Sequence, residues 1–503
     1  MYRTLKADKD AYITDKFVDG VRAVSGNTGI AGSLDLFKLY GVTTLTSGTT
    51  KLPQKELSRI LIHFDLSELS SMFSGSLIDI DDESFKCYLS MKDVYGGQTT
   101  PHNFTVSVFP LSASFEEGFG KDTSYFADKD KCNFLSSSAT TGWFLSGCAA
   151  ECTSTTQGDY ITSSLLLPST KVAQYFKTGE EDLLVDVTNI ISATLVGDIP
   201  DRGFRLSFDS QLEDNNLTYF VKRFASRSAF DETKHPKLIF KFDDSIQDDN
   251  SNLFLDTSSK LFLYNYVFDE LQNITSASNQ ITGSNCLLLE LQTHVSGVGN
   301  YSLFFTGSQH SIGKNFINGM YSADVLVPLT DQNIKNHYLK SGSVSFTPIW
   351  SSFDQTLAYV TGSSVVARAP TRTSRRSSPK GYAVNVTGLL SDYASTDEVS
   401  VRIDIFDKSN PIIKAQRLPI ELPGVVIKNS YFGVRNVATG EYEIPFDPVH
   451  NSTKLSSDAY GMYARFNTSP LSKSNSYVID IMLLADGIQH KYLDSSSVFR
   501  IKE

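Results

Sequence analysis

From one end of the chain to the other, apolar side chains recur at every second position. In "RILIHFDL" the residues Ile60, Ile62, Phe64 and Leu66 share a face, and in "FKCYLSM" Phe85, Cys87, Leu89 and Met91 do so. "FRLSF" aligns Phe204, Leu206 and Phe208, while "KLIFKF" aligns Leu238, Phe240 and Phe242. Further on, "VSVRIDIF" gives Val399, Val401, Ile403 and Ile405, and "YVIDIMLL" gives Tyr477, Ile479, Ile481 and Leu483. One apolar and one mixed face per strand is the pattern of antiparallel sheets packed as sandwiches. The aromatic content, 33 Phe and 23 Tyr against 2 Trp, suits the same pleated surfaces. Short helices are expected only at "TKVAQYF" and "VTNIISATL". The predicted class is all-β.

A chain of 503 residues exceeds what one core usually serves. The polar stretch "DDSIQDDNSN" after Phe242 reads as a linker, and Pro419 and Pro423 in "RLPIELPGVV" mark a second break. The expected domains are 1–243, an acidic linker and connecting β segment over 244–299, a middle β-sandwich over 300–422 and an Ig-like C-terminal sandwich over 423–503. Two segments resemble each other, "LLVDVTNII" and "GYAVNVTGLL". Each is a strand ending in V-x-V-T before an apolar pair, with the Thr placed to cap a short helix.

Charge removes several functions. The 45 basic and 56 acidic residues leave a net charge of −11, which argues against nucleic acid as a partner. No apolar run approaches the ~20 residues of a membrane helix. The start, "MYRTLKADKD", lacks the pattern of an export signal, so a soluble product of the cytoplasm is expected. Without such a signal, the sequons at Asn103, Asn216, Asn273, Asn385, Asn451 and Asn467 are expected to be chance products. Five cysteines, Cys87, Cys132, Cys148, Cys152 and Cys286, are too few for a disulfide scaffold. Cys132, Cys148 and Cys152 share one polar region but have no His between them to complete a zinc site. Idle thiols are expected, with a Cys148–Cys152 or Cys132-linked disulfide as the alternative.

The chain has no G-x-S-x-G, no phosphate-binding G-x-x-x-x-G-K-[ST] and no H-E-x-x-H. Its eight His are scattered, and His63 falls on the outward face of a strand, where a cross-strand or solvated role is expected. No catalytic residue, cofactor or metal site is predicted, and the chain reads as a non-enzyme. The acidic groups Asp79, Asp81, Asp82 and Glu83, and Asp243, Asp244, Asp248 and Asp249, are expected to form solvated turns ahead of a calcium or glycosidase site. The most distinctive charge feature is "VVARAPTRTSRRSSPKGY", where Arg368, Arg372, Arg375, Arg376 and Lys380 lie in a region free of Asp and Glu. It is either a mobile solvated loop or a docking site for an acidic neighbouring subunit, and these five residues are the candidate partner interface.

The segments "ADKDAYITD", "GNTGIAGSLDLFKLYG", "SRILIHFDLSEL", "VDVTNII", "RGFRLSF" and "FASRSAF…HPKLIFKF" follow one another across residues 1–243. In order and spacing this part resembles DNRLRE-type modules, jelly-roll β-sandwiches related to carbohydrate-binding modules. A large polar insert around Cys132–Cys152 departs from the compact pattern. The remainder resembles virion structural proteins of contractile-tailed phages of the cyanophage type. It does so through "INGMYSADVLVPL", "SGSVSFTPIWSSFDQTLAYVTGS", "VRIDIFDKSNPIIKAQRLPIELPG", the long "SYFGVRNVATGEYEIPFDPVHNSTKLSSDAYGMYARFNTSPL" and the terminal "SSSVFRI". The resemblance implies a non-enzymatic virion component of tail, baseplate or neck, assembled in the host cytoplasm. Its partners would be other virion proteins in a symmetric setting, with a host surface glycan as the alternative partner.

Overall fold

The computed structural model describes residues 1–44, 51–123, 128–153, 155–162, 172–276, 279–369, 381–408, 424–485, 487–494 and 497–502. The fold is all-β, and it divides into two compact units. The first comprises residues 3–73 and 85–241, the second residues 1–2, 74–84 and 242–503.

The first unit is built around two long strands, Tyr2–Thr14 and Lys51–Phe64. The second half of Tyr2–Thr14 pairs antiparallel with residues 58–62, while its first half turns to Lys237–Lys241. Lys51–Phe64 likewise pairs first with Ser33–Thr44 and then with Phe204–Phe208. Each long strand therefore passes from one layer to the other, and a bulge between Ala7 and Lys9 relieves the bend. Phe104–Pro110 and Val172–Phe176 extend one side, Lys86–Met91 and Leu183–Asp186 the other. The faces predicted from alternation are buried, including Ile60, Ile62, Phe64, Phe85, Cys87, Leu89, Leu238 and Phe240. Inside, Phe104 stacks on Phe176 at 5.0 Å and meets Phe208 edge-on at 5.4 Å.

Alternation misjudged two strands of this unit, Phe204–Phe208 and the stretch 58–62 of Lys51–Phe64, where Arg59 and Leu61 are buried as well as Ile60 and Ile62. Phe204–Phe208 is buried on both faces, because described residues of the polar insert, among them Leu111, Phe115, Cys132, Trp143, Cys148 and Tyr160, pack on its outer side. Ala11, Ile13 and Leu61 of that side form a second core with them. Arg205 is enclosed there with its guanidinium 4.1 Å from the Tyr160 ring. All five cysteines are free thiols, and burial pushes the Cys148 thiol up to about 12.

Of the two expected helices, Thr188–Val196 is present and ends on Gly197 in the left-handed conformation. Thr188 is not its cap: its hydroxyl accepts from the Cys87 N–H at 2.9 Å and donates to Asp186 at 2.5 Å. The matching segment at Tyr382–Thr387 is a strand without a following helix, since Gly388 stands where the first copy has Asn189 and turns the chain at φ 81°. "TKVAQYF" supplies a strand instead of a helix: Val172–Phe176 pairs with residues 104–108 and buries Val172 and Phe176. Pairing outweighs local propensity there.

The second unit holds two sandwich regions. The middle sheet runs in the order Ser259–Tyr264, Asn315–Val325, Gly299–Ile312, Leu287–Val295, Ser343–Ser351, Ala358–Thr361, with Val365–Arg368 also on Ser343–Ser351. Residues 259–295, read from sequence as a connecting segment, thus supply an edge and a central strand. Helix Gln332–Ser341, unexpected from the sequence, packs under this sheet through Ile334. The C-terminal region pairs a four-stranded sheet (Tyr382–Thr387, Glu398–Asp407, Gly461–Asn467, Ser456–Asp458) with a six-stranded one centred on Ser476–Ala485. Phe466 of the first sheet lies 5.5 Å from Phe432 and 6.2 Å from Phe499 of the second. Strands 382–407 therefore pair inside the C-terminal sandwich and not with the middle region, where composition had placed them. Pro419 and Pro423 lie outside the described residues.

Candidate functional site

Of the four acids expected in a solvated linker, Asp243 and Asp244 are part-exposed and two are buried. Asp248 and Asp249 are each 1% exposed. Residues 246–249 run beside Leu455–Ser457 of the C-terminal sandwich: the Ser457 N–H donates to Ile246 O at 2.8 Å and the Asp248 N–H to Ser457 O at 3.2 Å. On the other side the Asp249 N–H donates to Lys260 O, and its carboxylate accepts from the Lys260 N–H, both at 2.9 Å. The same carboxylate receives Lys428 Nζ at 2.9 Å. This four-residue crossing ties the middle sheet to the C-terminal sandwich within the second unit. Asp79 and Asp81 do form exposed turns, closed by Lys314.

Between the tied sandwiches lies a cleft of about 630 Å³. The middle sheet contributes Phe262 and Tyr264, which alternate with the core residues Leu261 and Leu263 and so face away from that core, and the two-stranded ribbon that follows contributes Tyr266. Trp350 forms part of the floor, and Gly307 makes room for it, since a Cβ there would sit 2.9 Å from Trp350 Cζ3. The C-terminal sandwich contributes Ser400, Arg402, Asp458, Tyr460, Tyr463 and Arg465. Arg402 and Tyr463 are cross-strand partners. The Arg402 guanidinium lies 5.4 Å from the Tyr463 ring and 5.8 Å from the Tyr460 ring, and its Nη1 donates to Asp458 at 2.7 Å. The same Asp458 oxygen accepts from the Tyr460 N–H at 2.8 Å, fixing the turn that carries this ring.

Two rings are presented to solvent, Tyr460 at 87% and Tyr266 at 62% exposure. Deeper in, the Tyr264 hydroxyl is enclosed and has no hydrogen-bond partner. Burial, with Asp248 nearby, pushes that phenol up, so it stays a neutral donor. Burial also pushes the Asp248 carboxyl up to about 7, against hydrogen bonds from Asn250. The cleft thus combines aromatic faces, a forked cation, a carboxylate acceptor and a free hydroxyl.

The residues singled out by charge lie elsewhere. Arg368 ends its strand with an exposed side chain, and its backbone N–H and carbonyl pair with Leu253 and Leu255 at 3.1 and 2.8 Å. Arg372, Arg375, Arg376 and Lys380 lie outside the described residues. His63 has the expected cross-strand role, 2.6 Å from Asp8, and hydrogen bonds to Asp201 and Asp8 raise it to about 9.

In the first unit, the short segments that carried the module resemblance meet in one polar knot. Asp10 accepts from the Arg227 N–H at 2.6 Å, and the Asp10 N–H donates to Glu117, which Arg227 also grips with two nitrogens. Thr28 exchanges hydrogen bonds with the Tyr12 backbone, and Ser226 Oγ donates to Ala31 O at 2.5 Å. These residues hold strand ends together. A shallower hollow of about 460 Å³ lies by the insert, lined by Ser112, Glu116, Ser138, Phe144 and Arg202 among others. No group of three or more His, Cys, Asp or Glu suited to a metal ion occurs among the described residues. Comparison with protein-family models and with curated proteins returns no match.

Proposed function

We propose that this chain is a non-enzymatic structural component of a tailed-phage particle, sited in the tail, baseplate or neck. Its sandwiches would contact neighbouring virion proteins, and copies would follow the symmetry of the particle. The observation that supports this reading is the stitched crossing at residues 246–249. It ties two sandwiches together through backbone and carboxylate hydrogen bonds, a feature that suits a part passing load within an assembly. The segments resembling phage virion proteins supply strands of those sandwiches, among them Asn315–Val325, Ser343–Ser351 and Glu398–Asp407. The net charge of −11 speaks against packaged nucleic acid as its partner.

The test is mass spectrometry of purified particles, with immunogold labelling by antibody to this chain. Gold at the tail tip, baseplate or neck is the expected result. Absence from the mass spectra of intact and opened particles would overturn the reading. A second reading, an adhesin for host surface polysaccharide, is favoured by the exposed rings of the cleft.

A further inference from the structure

We infer that the cleft between the middle and C-terminal sandwiches is a binding site for a neutral saccharide chain. A saccharide presents flat C–H faces edged by hydroxyl pairs, and its recognition takes an aromatic platform beside forked polar groups. The cleft offers both. Tyr460 and Tyr266 expose their rings at its mouth, an arrangement that leaves apolar area in water until a ligand covers it. Arg402 and Asp458 lie beside Tyr460 as a donor and an acceptor already aligned by their own 2.7 Å hydrogen bond. The buried, unpartnered Tyr264 hydroxyl is an independent sign, because enclosed polar groups ordinarily find a partner. A ligand hydroxyl in the cleft would supply one.

Charge selects the subclass. Arg402 faces Asp458, and Arg465 faces Glu398 at 3.8 Å, so each cation already has a carboxylate beside it. A uronic-acid polymer or a nucleic acid would meet Asp458 and Glu398 as like charges beside each cation. An uncharged sugar would use the same pairs intact. Saccharide binding here deepens the adhesin reading, and it can fail while the chain remains a virion part.

The experiment uses the full chain on an array of bacterial surface polysaccharides, followed by calorimetric titration with oligosaccharides of the neutral hits. Trp350, one of only 2 tryptophans, reports on the cleft by fluorescence. Saturable binding is expected, little changed between about 50 and 500 mM salt. Tyr460→Ala and Arg402→Ala should each weaken it about ten-fold or more. Tyr460 is so exposed that its truncation leaves the fold intact, and Tyr266→Ala provides a second exposed variant. No neutral hit, binding confined to charged polymers with steep salt dependence, or affinity unchanged in Tyr460→Ala and Tyr266→Ala would each overturn the proposal. Particle labelling is read separately, so labelled particles without sugar binding would remove the saccharide and leave the structural role.

Discussion

The first unit and the middle sheet of the second are both built mainly of antiparallel strands, yet they keep those strands in place by different means. In the first unit, charged groups are buried at the seams. Lys222 is fully buried, and its ammonium donates to Asp93 at 2.5 Å, to Glu181 O at 2.7 Å and to Gly179 O at 2.9 Å. Lys38, equally buried, closes the short helix Ser210–Asp214 through Leu212 O and Asn215. Arg59 forks Glu213 and also donates to Gly147 O of the insert. In the middle sheet, by contrast, no Asp, Glu, Lys or Arg from 259 to 369 is buried among the described residues, and the core is aliphatic and aromatic throughout. The contrast separates two tasks. Apolar packing stabilises without regard to which loop lies where, whereas a buried ammonium with three fixed acceptors specifies one arrangement of loops.

A large effect should come from removing such a pin. Lys222→Ala leaves the part-buried Asp93 and two carbonyls without their cation and should cost about 2–4 kcal/mol. Hydrogen exchange should rise sharply at residues 178–182 and 219–225 while the middle sheet keeps its protection. Uniform loss across the chain would break the comparison. Leu289→Ala, at a fully buried position of the middle sheet, should cost about 2–4 kcal/mol as a cavity, with exchange rising across the whole sheet and no single loop released.

A smaller effect concerns the buried acid at the crossing. The Asp248 carboxyl, raised to about 7 from an ordinary 3.8, holds a proton in the folded state over a range where the unfolded chain has lost it. Stability carried by this group therefore falls as pH rises from about 4 to 7. Asp248→Asn removes the dependence: the variant should match the parent near pH 4 and exceed it by roughly 1–3 kcal/mol at pH 8, read from urea midpoints. Asp10, likewise raised to about 7 by burial, gives the first unit a slope of the same sign. The smallest effect is expected at the exposed Lys314–Asp81 pair, where Lys314→Ala should leave the melting temperature unchanged.

Much of this fold was legible in the residue order because period-two alternation is a local property. Val399, Val401, Ile403 and Ile405 are buried on one face as read, and Phe85 to Met91 likewise. What alternation cannot carry is the identity of a strand's neighbour, which is why residues 382–407 were grouped with the wrong sandwich. Nor does it say whether the second face is covered. Ser476–Ala485 buries Val478, Asp480 and Met482 as well as the predicted Tyr477 to Leu483 series. Asp480 is tolerated because Arg435 and Tyr442 bind its carboxylate at 2.7 and 2.9 Å. Helix Gln332–Ser341 had readable ends, with Asp331 accepting from Asn333 and Ile334 and Gly342 in the left-handed conformation, but its apolar stripe is too thin to announce it. The cleft left no trace in order or composition. Tyr264, Trp350, Arg402 and Tyr460 are scattered over almost two hundred residues, and each alone reads as an ordinary strand or turn residue.

The crossing at residues 246–249 has a mechanical consequence for the cleft it borders. Like the pivot of a calliper, it sets the gap between two jaws whose own shapes it does not touch. Lengthening or shortening it by one residue would shift the register of Asp248 and Asp249 against Ser457 and Lys260 and regauge the opening. Both sandwiches and every ring that lines them would stay intact. The width of the opening is thus set by four residues, two of which, Ile246 and Asp248, also line it.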